Sequence, residues 1–272
     1  MIQKIGFLGK GGIGKSTIIC HLSAALSNMG YHVLQIGNDI SLNSTAILRG
    51  DQDIIPVLEE YREKYVLNLE DYIVKSGCGV YCMELGSLDP GVGCMARSID
   101  MIDDMLVSQG IYDKLALDFL FYDVSVDSPC SGYMLPIRNH AWSRSVIFIN
   151  SGFPSIATAN CILNTIKSHS AHQTLPVQLI ISEDERAHNC GLPAAFAEAV
   201  NVPVLSCVHQ CHRLEECSEL GRTIYQSSPD CAECVTLNGL AQKLLEDVRC
   251  SDIQPFQRKD LLEWNRKMCK KC

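Results

Sequence analysis

The chain has 272 residues, room for one large α/β domain or two small ones. Hydrophobic residues make up 47% and charged residues 20%, the balance of a soluble globular protein with a full core. The net charge of −8 argues against nucleic acid as a partner, because such binders present basic surfaces. No run reaches the ~18 apolar residues of a membrane helix, and MIQKIGFLGKGG leads straight into a glycine loop with no leader-like apolar stretch. A cytoplasmic protein with no membrane partner is expected. Its 15 cysteines are then metal or cluster ligands, or buried small hydrophobes, rather than a disulfide framework.

The first element is the apolar run IQKIGFLG, which reads as a strand ending in glycine. GKGGIGKST follows, and it fits the G-x-x-x-x-G-K-[ST] pattern of a phosphate loop. Its residues are Gly9, Lys10, Gly11, Gly12, Ile13, Gly14, Lys15, Ser16 and Thr17. Glycines let the backbone curl its N–H groups toward phosphate oxygens, and the helix start at Ser16 adds a positive dipole end. Lys15 should reach the β- and γ-phosphates, and Ser16 should ligate Mg²⁺. Ile18, Leu22, Ala25 and Met29 then recur at helical spacing, with Gly30 as a stop.

HVLQIG reads as the next strand and delivers Asp39 in IGNDISLNST. Cys94 lies further on, in the loop LDPGVGCMAR. LALDFLFYD is a strand that places Asp123 where the acid holding Mg²⁺ through water is expected. Asp127 comes four residues later and Cys130 seven residues later, so a loop that senses nucleotide leads directly to a potential cluster ligand. SVIFIN, PVQLIIS and VPVLSC read as further strands. Between and after them, Ile156, Ala159, Leu163 and Ile166 share one helical face, as do Leu237, Leu240, Ala241, Leu244, Leu245 and Val248.

Apolar strands alternating with helices predict an α/β fold with a mostly parallel sheet covered on both faces, a phosphate-loop NTPase. Its ligands bind beyond the C-terminal ends of the strands. One ATPase domain is expected over residues 1–250. Residues 251–272 form a basic extension, whose PFQRKDLLEWNRKMCKKC carries six Lys/Arg against two acids. It reads as a short helix packing on a partner subunit.

Lys10 sits one place after the first glycine, as in the deviant phosphate-loop group, where that lysine reaches the partner's nucleotide across a dimer. The physical need is neutralisation of γ-phosphate charge in the transition state. Two thiolates per subunit, doubled by a two-fold axis, would make the four that a 4Fe–4S cluster requires.

GKGGIGKST, PGVGC with Arg97 three residues on, and FYDV…D…C…PIR together resemble the nitrogenase iron protein family. The likeness runs from residue 1 to about residue 150, and more loosely to about Arg249. It implies a homodimer with one 4Fe–4S cluster held by Cys94 and Cys130 of each copy. Gly9 to Thr17 would bind MgATP, Asp39 and the loop after it would form one switch, and Asp123 to Asp127 the other. Lys10, Asp39 and Asp127 would serve hydrolysis, Asp127 by activating water. Reduced ferredoxin or flavodoxin would supply electrons, and a nitrogenase-like acceptor would dock near Arg97 and Arg138. In the family, the counterpart of Arg97 is also an ADP-ribosylation target.

There are departures. The family's switch usually reads C-D-P-K-A-D-S-T, whereas NDISLNST keeps Asp39 but has Ser41 for lysine and Asn43 for aspartate. Ser182 stands where the family usually has an adenine-contacting asparagine, and VLSCVHQCHRLEEC lacks a P-R-D-N run. This pattern resembles a divergent member that serves an acceptor other than nitrogenase, such as a tetrapyrrole reductase system.

Three functions compete on the sequence. An ATP-dependent electron donor accounts for Cys94 and Cys130. An ATP-dependent carrier or maturation protein for iron–sulfur or other metal centres is favoured by two C-x-x-C pairs, Cys231/Cys234 and Cys269/Cys272. A partition-type ATPase would share Lys10 and Lys15 but need neither loop cysteine. The C-x-x-C pairs could hold zinc or a second cluster, but 34 residues separate them, more than compact zinc motifs use. Packed or idle cysteines are expected there, Cys207, Cys211 and Cys217 included. His209 and His212 read as ordinary polar residues.

Overall fold

The computed structural model describes residues 2–64, 66–86, 97–126, 133–169, 175–184 and 191–270. β1 (Gln3–Gly9), α1 (Lys15–Asn28) and β2 (Val33–Asn38) come first, followed by α2 (Ala46–Arg49) and α3 (Val57–Lys64). β3 (Val74–Lys75), β4 (Tyr81–Glu84), α4 (Ser98–Ser108), α5 (Ile111–Lys114) and β5 (Phe119–Val124) complete the first half. α6 (Met134–Arg138), β6 (Arg144–Ile149), α7 (Phe153–His169), β7 (Val177–Asp184), α8 (Leu192–Ala199) and β8 (Val204–Gln210) follow. The chain closes through α9 (His212–Glu219), α10 (Ile224–Ser227), α11 (Ala232–Leu244) and α12 (Arg258–Cys269).

The strands form one sheet in the order β3-β4-β2-β5-β1-β6-β7-β8. All neighbours are parallel except β3, which runs antiparallel to β4 at the edge. Alternation along the strands sorts the side chains onto two cores. Leu34, Ile36, Leu120, Tyr122, Ile147 and Ile149 face one core, which α4, α5, α7 and α8 cover. Ile5, Phe7, Phe119, Phe121, Val146 and Phe148 face the other, beneath α1 and α11. Strands buried on both faces have to read as near-continuous apolar runs, as β1, β5 and β6 do.

Two expected strands shift. β5 begins only at Phe119, because Ala116 adopts φ +49 in a turn ahead of it. β8 starts after Pro203 and runs on to Gln210. α11 stops at Leu244, short of Val248, where the buried Arg144 guanidinium takes the Leu244 carbonyl at 3.0 Å. α12 packs part of its apolar face within its own chain. Leu261 is buried, and the Trp264 ring lies 5.9 Å from Phe196 and 5.5 Å from Phe256 of the same chain.

β1 is tied in at its start as well as at its end. Lys4 Nζ pairs with Asp103 Oδ2 of α4 at 2.6 Å, and the same carboxylate accepts from Tyr112 and Tyr122 at 2.6 and 2.7 Å. In the middle of the strand, the Trp142 indole lies flat on Gly6, where a Cβ would come within 2.3 Å of the ring. Gly6→Ala should therefore overpack this site and lower stability by about 1–3 kcal/mol or more. Urea titration of the variant checks it, and an unchanged midpoint would contradict the packing.

Candidate functional site

The phosphate loop leaves β1 at Gly9 and re-enters regular structure at Lys15. Gly12 and Gly14 have φ of +77 and +75, which only glycine adopts without strain. At Gly14 a Cβ would also meet Gln210 Nε2 at 2.1 Å. That amide donates to the Ile13 carbonyl and, at 2.9 Å, to Ser182 Oγ. Ser182 Oγ in turn donates to the Ile13 carbonyl at 2.8 Å. The ends of β7 and β8 thus grip the loop by one carbonyl, and the Ile13 side chain is buried in the core.

Gly9, Lys10, Gly11, Gly12, Gly14, Lys15, Ser16 and Thr17 surround a cavity of about 260 Å³, together with Asp39, Ser44 and Ser125. Asp39 follows β2 and accepts a hydrogen bond from Ser41 Oγ. Asp123 stands beside Phe7 in the β1–β5 register, and its Oδ1 is paired with Lys15 Nζ. Asp123 is 1% exposed, and its Oδ2 has no hydrogen-bond partner. A buried carboxylate oxygen without a partner, a hydroxyl at Ser16 and a carboxylate at Asp39 are the hard oxygen donors that suit Mg²⁺.

Glu84, at the end of β4, is a site residue that the sequence reading missed. Its Oε1 accepts from the Thr45 N–H at 2.7 Å and from the Thr45 hydroxyl at 2.6 Å. Gly37 of β2 is in register with Glu84 on one side and Asp123 on the other. A Cβ on Gly37 would lie 1.8 Å from Glu84 Oε2, so a glycine is what lets the carboxyl sit there. Burial pushes the Glu84 pKa from 4.5 to about 7, Thr45 partly offsets this, and the charge of Asp123 adds to it. The loop before α2 is held further by Gln35 Nε2, which donates to the Ser44 carbonyl at 2.6 Å. Gln35 itself accepts from Ser23 of α1 at 2.8 Å.

The remaining sequence-predicted residues divide. Cys94, Asp127 and Cys130 lie outside the described residues. Arg97 caps the start of α4 and Arg138 ends α6, both exposed. Asn139 joins these two ends by donating to Asp100 Oδ2 at 2.5 Å. Among the described residues, no group of three or more Cys, His, Asp and Glu side chains could hold a metal. Cys231 and Cys234 are paired at the start of α11, while Cys269 is exposed at the end of α12 and Cys272 lies outside the described residues. No helix among the described residues is long and apolar enough to cross a membrane.

The model of the 4Fe-4S iron sulfur cluster binding proteins, NifH/frxC family, matches residues 3–269. The chain belongs to this family. It is 30% identical over 264 residues to nitrogenase iron protein 2 of Paenibacillus durus, covering 97% of this chain and 90% of that protein. It is likewise 30% identical over 266 residues to the nitrogenase iron protein of Methanospirillum hungatei, covering 96% and 94%. Among solved structures, the septum site-determining protein MinD of Pyrococcus horikoshii, complexed with Mg-ADP, superposes with a TM-score of 0.72 at 19% identity. The match covers 90% of this chain and 96% of that one. MinD of Aquifex aeolicus gives 0.68 at 16% identity, over 91% and 99% of the two chains. At such identities these structures speak to the fold, a phosphate-loop α/β architecture, which this NifH/frxC-family member shares.

Glu84 carries a pH signature. Its folded pKa of about 7 lies above its ordinary 4.5, so its stability contribution is complete below about pH 4.5 and is lost as pH rises through about 7. Relative to Glu84→Gln, the nucleotide-free wild type should lose on the order of 3 kcal/mol across that window. Urea titrations in pH steps read the difference in slope, and parallel curves would remove the assignment.

Proposed function

We propose that the chain is an ATP-dependent reductase, a homodimer with one 4Fe–4S cluster held between the copies by Cys94 and Cys130 of each. The observation that carries this reading is where Asp123 and Glu84 stand in the sequence. Asp123, the partner of Lys15, is seven residues before Cys130, and Glu84, which holds Thr45, is ten residues before Cys94. β4 and β5, which end near the phosphate-loop side, are thus the strands followed by the two cysteines.

Lys15 is the first mover. It neutralises Asp123 in the absence of nucleotide. The β- and γ-phosphates would compete for the same ammonium, leaving Asp123 to help hold Mg²⁺. The segment after Asp123 then follows a change of charge at its root. Glu84 answers on the other side, because its charge state depends on Asp123 and its oxygen holds Thr45 in the loop after Asp39. Ser16, Asp39 and Asp123 supply the oxygen donors for Mg²⁺, Asp127 activates the attacking water, and Lys10 reaches the partner copy's γ-phosphate.

The cluster, when bound, supplies one-electron redox chemistry through four cysteine thiolates. Reduced ferredoxin or flavodoxin is the donor class. Arg97 and Arg138 present positive charge for a nitrogenase-like acceptor, beside a hollow of about 640 Å³ lined by Tyr61, Arg97, Met101 and Leu135 among others.

Replacing Cys94 or Cys130 by Ala should abolish the cluster, normally about four irons per dimer, and leave nucleotide binding near the wild-type level. Iron analysis and visible spectra after anaerobic reconstitution test this, and an intact spectrum in both variants would refute the ligand assignment. Lys10→Ala should slow hydrolysis about a hundredfold or more while changing ATP affinity far less, since it acts on transition-state charge. Equal losses in the two would make Lys10 a ground-state contact instead.

A further inference from the structure

Cys231 is the N-cap residue of α11, and Cys234 lies in the first turn of that helix. Both are free thiols, with their sulfurs 3.4 Å apart. A disulfide needs about 2.05 Å between sulfurs, so small side-chain rotations close the gap. The two are unequal in surroundings. Cys231 is partly exposed, whereas Cys234 is 3% exposed and donates to the Ser228 carbonyl at 3.5 Å. Burial, and then Cys231, push the Cys234 thiol up to about 12, which keeps it a thiol.

The exposed sulfur has a charged setting. Arg213 lies against Cys231 and is raised by it first, then by Glu233. Arg213 Nη1 also donates to Glu233 Oε2 at 2.9 Å. Glu233 is held below the usual carboxylate range by its own backbone N–H first and then by Cys231. Its Oε1 accepts from Cys211 Sγ at 3.4 Å. Cys211 directly follows Gln210, the residue that grips the phosphate loop.

We propose that Cys231 and Cys234 are a reversible dithiol–disulfide pair whose oxidation is felt at the phosphate loop through Glu233, Cys211 and Gln210. The oxidant is a small disulfide RSSR such as glutathione disulfide. The Cys231 thiolate attacks one sulfur of RSSR, forming a mixed disulfide and expelling RS⁻. RS⁻ takes the Cys234 proton, and Cys234 Sγ displaces the second RS⁻ from Cys231, which takes up the proton that Cys231 had lost. The net change is two S–H bonds exchanged for one S–S bond, with RSSR reduced to two RSH. Exposure suits Cys231 to attack first, and a sulfur only 3.4 Å away makes Cys234 the resolving thiol. Oxidation removes the S–H groups beside Glu233, so Glu233 settles anew on Arg213 and Cys211. The proposal stands whether or not the chain transfers electrons.

The test uses the full chain with its cluster, kept anaerobic and equilibrated in reduced and oxidised glutathione mixtures that leave its visible absorbance constant. Thiols are alkylated and the Cys231–Cys234 peptide is weighed. The expected result is a peptide lighter by two hydrogen atoms in oxidised buffer, restored by dithiothreitol. Cys234→Ser should accumulate glutathione on Cys231, while Cys231→Ser should leave Cys234 unmodified. Binding of a fluorescent ATP analogue should change several-fold between the two buffers in the wild type and not in the double variant. No disulfide, a disulfide to another cysteine, or glutathione taken up equally by either single variant would overturn the pair. Identical affinities in the two buffers would overturn its link to the loop.

Discussion

The register between β1 and β5 sets everything at the nucleotide end of the molecule, because it stands Asp123 opposite the lysine of the phosphate loop. The resulting ion pair is buried and only half satisfied. Lys15 covers Asp123 Oδ1, and Oδ2 has no partner. Taking two charges out of water costs several kcal/mol per ion, and attraction repays it fully only when the remaining lone pairs are also met. A cation near Oδ2 and phosphates near Lys15 would meet the groups that the described residues leave open. Ligand binding then feeds directly into fold stability, since a ligand that binds only the native state stabilises it by mass action.

Glu84 extends the same constraint across β2. Burial raises the Glu84 pKa to about 7, and the charge of Asp123, across Gly37, adds a smaller push in the same direction. A change in the partner of Asp123 therefore changes the ease with which Glu84 ionises, and Glu84 holds Thr45 through two hydrogen bonds. The coupling needs no long pathway. It is two carboxyl groups and one glycine on three adjacent strands, β4, β2 and β5.

The central strands are legible in the sequence because they are buried on both faces and so read as apolar runs, and the phosphate loop is legible because its glycines and lysine are local. β3 and β4 are not, because Val74–Lys75 and Tyr81–Glu84 are too short to show a period and the second carries a glutamate. That glutamate is the signal that was available: an acid closing a short apolar stretch, as Asp123 follows the apolar run of β5. The grip of Ser182 and Gln210 on Ile13 joins residues 169 and 197 positions apart in the chain, and no pattern announces it. The intrachain packing of α12 is equally non-local. Its basic residues dominate the composition, whereas Leu261 and Trp264 fix its place, against Phe196 and Phe256 supplied from elsewhere in the chain.

Ser182 shows what such non-local contacts change in function. By resemblance it stands where the family usually has an asparagine that meets the adenine. Here its hydroxyl proton goes to the Ile13 carbonyl, and one of its lone pairs accepts from Gln210. A side chain so engaged on both sides has little left to offer a base. Its hydrogen-bonding capacity goes to the phosphate loop, where it fixes the Ile13 carbonyl. Gln210, which shares this grip, is joined through the chain to Cys211, and Cys211 through Glu233 to the start of α11.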